Sequence, residues 1–143
     1  DITNMRRTYQ PLFDKLGVDL VLQGHSHNYQ RSYPLSYNDV TPSEPIISDK
    51  EQFQYHDPVG TIFLIVGTGG ESVKSLNKKS FLVSTYEGYG CINVEIKGKS
   101  MNVEYYSDTN NAIDKFSITK NENNPKSGDL RTETQLIDYK SPK

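Results

Sequence analysis

The chain has 143 residues and a formal net charge of −2, a size that fits one domain with a buried core and a charge that gives no bulk attraction for nucleic acid or an anionic membrane. No basic stripe is present, so nucleic acid drops out as a partner, and no apolar run approaches the roughly 20 residues of a membrane helix. The single cysteine, Cys91, cannot form an internal disulfide.

The sequence opens at Asp1, without an initiator methionine or a signal peptide, almost directly on a helix pattern. It reads as cut from a longer polypeptide, and its compartment stays open. Asp1 to Leu16 reads as a helix, with Met5, Tyr9, Leu12, Phe13 and Leu16 at three- and four-residue spacing as its apolar face. Pro11 should kink or break it, and Gly17 is the natural stop. Val18 to Gln23 follows as a nearly continuous apolar run, the pattern of a strand covered on both faces. Gly24 ends that strand and the histidines begin at once. A helix, a tight turn, a buried strand and then polar residues is the order of an α/β sheet, whose sites lie beyond the carboxyl ends of strands.

Residues 36–58 read as a long polar loop with Pro42, Pro45 and Pro58. Thr61 to Val66 is a second buried strand, closed by Gly67-Thr68-Gly69-Gly70. Lys74 to Lys79 is a further polar loop, and Phe81 to Tyr86 a short strand. Gly90 to Ile96 and Ser100 to Tyr106 alternate about Lys97-Gly98-Lys99, which predicts a hairpin. Ala112 to Thr119 is the last alternating strand. Residues 1–120 thus form the folded part, and 121–143 read as a polar tail.

Two of the three histidines lie in Gly24-His25-Ser26-His27. From a turn after a strand, two imidazoles can address one metal, or each one of two metals roughly 3.5–4 Å apart. Gly24, without a Cβ, would let the backbone turn sharply and approach a metal cluster. The bland alternative is a pair of surface histidines, and the buried strand and glycine just before them favour the site. Gly67-Thr68-Gly69-Gly70 fails the spacing of the phosphate-binding fingerprints, because Ser72 stands where a glycine is needed. It reads as a turn passing close to the site. The ten tyrosines are scattered among acidic neighbours and read as cross-strand packing, and Cys91 as a small core residue.

Val18 to Arg31, carrying Gly24-His25-Ser26-His27-Asn28-Tyr29-Gln30-Arg31, resembles the last metal-binding motif of the calcineurin-like metallophosphoesterases, in particular the Gly-His-x-His-x-Tyr-x-Arg pattern of the purple acid phosphatase branch. Thr61 to Gly70 is similar to its strand and glycine turn, and Tyr89-Gly90 and Asp114 to Lys120 to its closing strands, so the resemblance covers roughly residues 1–120. It implies an α/β fold, the C-terminal part of a two-sheet αββα sandwich, mostly β here with an N-terminal helix. It implies phosphate-ester hydrolysis by a metal-activated hydroxide at a dinuclear centre of iron, zinc or manganese, with His25 binding one metal and His27 the other.

The remaining ligands of that family come from motifs upstream of this one, and none is present here. The resemblance therefore implies a fragment without a catalytic residue of its own, inactive alone, binding no metal alone, and partnered by the missing N-terminal half of the same domain. Uncovered sheet edges and apolar faces would let the isolated fragment self-associate. Tyr29 and Arg31 have two readings: beside the substrate, with Arg31 holding a phosphate, or packed structurally next to the site. Asn28 could orient a ligand. His56 matches no motif and reads as solvent-exposed. The competing reading of the whole chain is a non-catalytic β-rich binding module with a vestigial histidine pair.

Overall fold

The computed structural model describes residues 2–121; apart from Asn121, the predicted tail lies outside them. Helix α1 spans Ile2–Leu16 and is one element with Pro11 inside it. The expected break does not occur: a proline removes one N–H, and the helix continues past it. Its end is set by Gly17, at φ 63°. The Gly17 amide donates to the Asp14 carbonyl and the Val18 amide to the Phe13 carbonyl, the paired bonds of a Schellman stop.

The helix does not bury the face its apolar spacing predicts. Gln10 is buried, Phe13 packs against Phe63 with ring centres 6.1 Å apart, and the Arg6 guanidinium lies 5.3 Å from the Phe81 ring centre. Met5, Tyr9, Leu12 and Leu16 are exposed. The stripe is real, but among the described residues nothing covers it.

Among the described residues ten strands follow, β1 (Leu20–Gln23), β2 (Tyr29–Ser32), β3 (Leu35–Ser36), β4 (Ile46–Ile47), β5 (Gln54–His56), β6 (Ile62–Val66), β7 (Leu82–Tyr86), β8 (Gly90–Lys97), β9 (Ser100–Ser107) and β10 (Ala112–Thr119). The expected loop at 36–58 therefore holds short strands, and β2 arises directly after the histidines. One sheet has the order β1-β6-β2-β7, a second β5-β10-β9-β8, and β3 pairs with β4. β1 runs parallel to β6, whereas β2 runs antiparallel to both β6 and β7. The second sheet pairs β5 parallel to β10, and β10, β9 and β8 antiparallel.

The two four-stranded sheets pack face to face. Tyr29, Ile62 and Leu64 of the first meet Tyr55, Val103, Tyr105, Phe116 and Ile118 of the second in one buried cluster. Tyr29 and Tyr86 of the first sheet pack on Tyr105 of the second, with ring centres 4.0 and 6.0 Å apart, whereas Tyr55 meets Phe116 edge-on across neighbouring strands of the second sheet, the cross-strand packing expected of the tyrosines. Cys91 is exposed, not a core residue. It pairs across from Tyr106 on the outer face of the hairpin, while Ile92 and Val94 turn toward the core. β1 is likewise not covered on both faces. It is an edge strand whose Leu22 is 55% exposed.

Candidate functional site

Because β1 and β6 are parallel, their carboxyl ends lie at the same edge of the sheet. The histidine turn leaves β1 there and re-enters the sheet as β2, crossing the end of β6. Within the turn, the Ser26 amide donates to the Gly24 carbonyl and the Asn28 amide to the Ser26 carbonyl. Gly67, just past β6, donates to the Asn28 carbonyl. A Cβ on Gly67 would stand 1.9 Å from the Ser26 oxygen, so a side chain there is incompatible with the turn. This is the close approach expected of Gly24. At Gly24 a Cβ would meet nothing within 4 Å, and the left-handed residue of the turn is His25, at φ 72°.

His25 is exposed and has no hydrogen-bond partner among the described residues. A histidine in the left-handed region is uncommon and mildly strained, and such residues concentrate at functional sites. His27 is half-buried, and its Nδ1 lies 3.1 Å from the Ser72 carbonyl. Asn28 is buried: its Nδ2 donates to the Lys74 carbonyl, and its Oδ1 accepts from Ser26 Oγ and Gln30 Nε2. The Lys74 amide returns a bond to the His27 carbonyl. The Glu71 carboxyl is held below its ordinary range, first by the Ser72 amide and also by the nearby His27.

Tyr29 and Arg31 face away from this turn, into the space between the sheets. Arg31 is 1% exposed, and it donates through Nε and Nη2 to the two oxygens of Asp114, at 2.6 and 2.8 Å. Nη1 donates to the Tyr55 hydroxyl, and the guanidinium sits 4.6 Å from the Phe116 ring centre. Tyr29 donates to the same carboxylate at 2.7 Å. Burial alone would lower the Arg31 guanidinium; the hydrogen bonds and charge of Asp114 outweigh it and hold it above its ordinary value. The Tyr29 hydroxyl is pushed well up, first by burial and then by Asp114. This cluster ties one sheet to the other. His56 is exposed at the end of β5.

Two imidazoles match, in type, the nitrogen donors that zinc or iron accepts. In number they do not complete a site. Among the described residues, no group of three or more His, Cys, Asp or Glu is placed to hold an ion.

The segment Glu71 to Lys74 was not legible as part of the site. Only Lys74 falls in the predicted polar loop, and the contacts of Ser72 and Lys74 use backbone atoms, which leave no residue signature. The glycine turn before it was the one available signal.

No protein-family model matches the sequence. An Arabidopsis thaliana protein named probable inactive purple acid phosphatase 27 is 32% identical over 119 residues, 79% of this chain and 18% of its own length. The Arabidopsis probable inactive purple acid phosphatase 1 is 31% identical over 121 residues, 80% of this chain and 18% of its own. An uncharacterised Mycobacterium tuberculosis protein is 41% identical over 69 residues, 48% of this chain and 13% of its own. The chain thus spans under a fifth of the length of these relatives. The solved structure of a purple acid phosphatase from yellow lupin seeds superposes with a TM-score of 0.68 at 25% identity, over 79% of this chain and 19% of that one. In sequence and in fold, this is a purple acid phosphatase-like chain of the calcineurin-like metallophosphoesterases, matching a C-terminal part of such a protein.

Proposed function

We propose that the chain supplies two ligands, His25 and His27, to the dinuclear metal centre of a phosphoesterase, and that it has no phosphatase activity alone. The observation that carries this reading is the turn at the carboxyl end of β1. There His25 sits exposed in a left-handed conformation, without a hydrogen-bond partner among the described residues, beside a His27 whose Nδ1 is already engaged. Bound to the assembled site, the metal pair would supply Lewis acidity to activate water and neutralise phosphoryl oxygens. This chain's part is to hold two imidazoles at the sheet edge. The other ligands would come from an N-terminal half of the same domain. Its docking surface is supported by the exposed stripe of α1 and the open edge of β1. Lacking that half, the isolated chain self-associates through those surfaces.

The test compares hydrolysis of p-nitrophenyl phosphate by residues 1–143 and by the longest natural polypeptide carrying them, with zinc, iron or manganese added. Activity only in the longer chain, abolished by His25→Ala or His27→Ala, supports the reading. A longer chain that binds no metal, and is indifferent to both substitutions, sinks it. That outcome would favour a non-catalytic β-rich binding module with a vestigial histidine pair. The names of the Arabidopsis relatives, which call those proteins probable inactive, speak for this second reading.

A further inference from the structure

His27 has two ring nitrogens, and the fold has committed one of them. A carbonyl oxygen can only accept, so the 3.1 Å contact with Ser72 requires the proton on Nδ1 and, in the neutral imidazole, leaves Nε2 with its lone pair. The contact depends on where the segment 71–76 lies. That segment is exposed apart from Leu76, and it is tied down at three points. The Lys74 amide donates to the His27 carbonyl at 3.0 Å, and the Leu76 amide to the Glu87 carboxylate at 2.9 Å. The third tie is Asn28 Nδ2 to the Lys74 carbonyl, at 3.1 Å.

Only that third tie comes from a buried side chain, 1% exposed. The other end of the same carboxamide accepts from Ser26 Oγ at 3.2 Å and Gln30 Nε2 at 2.8 Å. A flipped amide would set its oxygen against the Lys74 carbonyl and its N–H against Gln30 Nε2, losing both bonds, so its N–H is aimed at the loop.

We infer that Asn28 is a positioning residue: through the Lys74 carbonyl it keeps the Ser72 carbonyl on His27 Nδ1, so that His27 presents a bare Nε2 lone pair. This deepens the metal reading and takes its chemical purpose from it. Outer hydrogen bonds that fix the ring and tautomer of a ligating histidine raise its basicity.

The test reads the tautomer itself, in metal-free protein. Long-range proton–nitrogen spectra at pH 8, on the longest soluble polypeptide carrying residues 1–143, should show His27 as the Nδ1–H form. Exposed His25 and His56 serve as references. Asn28→Asp keeps both acceptor bonds and loses the donor to Lys74. It should lower the Nδ1–H to Nε2–H ratio of His27 roughly fivefold or more, the worth of one net hydrogen bond, without moving the references. Gln30→Leu frees the oxygen end and should shift the ratio the same way by less, which keeps the test available if Asn28→Asp does not fold. An Nε2–H His27 in the wild type, or a ratio unmoved in the variants, overturns the inference and leaves the phosphoesterase reading intact. Failure of the phosphoesterase assay with the expected tautomer present overturns the latter alone.

Discussion

Arg31 and Asp114 face each other across the interior of the sandwich, joined by two parallel hydrogen bonds of 2.6 and 2.8 Å. Arg31 belongs to the sheet that carries the histidines and Asp114 to the opposite one. Removing one partner leaves a buried charge without compensation. Asp114→Ala should therefore cost about 3–5 kcal/mol of folding stability. Urea unfolding measures it, and a loss below about 1 kcal/mol would mean that water enters to solvate Arg31. Replacing both residues with apolar side chains of similar volume should recover most of the loss.

The two glycines beside the histidines should behave oppositely. Gly67→Ala forces a methyl group into the Ser26 carbonyl; overpacking of this kind costs about 1–3 kcal/mol. Gly24→Ala meets open space in this chain and should stay within about 0.5 kcal/mol. Thermal unfolding of the pair decides the order, and a costly Gly24→Ala would reverse it.

His25 occupies a backbone conformation that glycine adopts without strain. His25→Gly should be neutral to about 1 kcal/mol stabilising, while removing an exposed imidazole. A clear loss of stability would show that the His25 side chain packs, and would weaken its reading as a ligand.

The interior tyrosines should resist alkali. Tyr29, Tyr55 and Tyr105 are all raised above the ordinary 10.0, each first by burial. A raised value in the folded state means that folding favours the protonated form. Their contribution is complete below about pH 10 and is lost as the pH climbs above it. Absorbance at 295 nm should show exposed tyrosines ionising first and these three only together with unfolding. Smooth titration of all ten would contradict their burial.

On the outer face, Lys115 donates to Glu104 at 2.7 Å. That bond first, and the Tyr106 hydroxyl second, lower the Glu104 carboxyl, while Glu104 raises Lys115. The lowered carboxyl contributes above about pH 4.5 and its share fades as pH falls below; the raised amine contributes below about pH 10.5 and fades above. Both partners are screened by solvent, so a double-mutant cycle across this window should find only a small coupling. A coupling as large as that of Arg31 and Asp114 would be unexpected.

Much of this fold could be read in the residues. The alternation either side of Lys97-Gly98-Lys99 gave the hairpin, because a period of two has one structural meaning when a turn follows. Gly17 marked the helix end, since the left-handed stop wants a residue without a Cβ. The histidine turn was legible because imidazoles directly after a strand and a glycine form a local pattern.

What the sequence by itself determined was the helix, the strands β1 and β6 to β10, and the placing of two histidines side by side after β1, because these depend on neighbours in the chain; β2 and the short strands β3, β4 and β5 were not legible. Which face of a strand or helix is buried, and by what, was decided only by tertiary structure. The stripe of Met5, Tyr9, Leu12 and Leu16 has the right period, yet its cover is not among the described residues. Gly67 rather than Gly24 receives the close approach, because the atom it meets, the Ser26 oxygen, is 41 residues back in the chain and is brought there by the pairing of β6 with β2. Arg31 turns inward because its partner Asp114, 83 residues away, arrives on the opposing sheet. Spacing along a chain gives direction within an element; the identity of a long-range neighbour exists only once the sheets have packed.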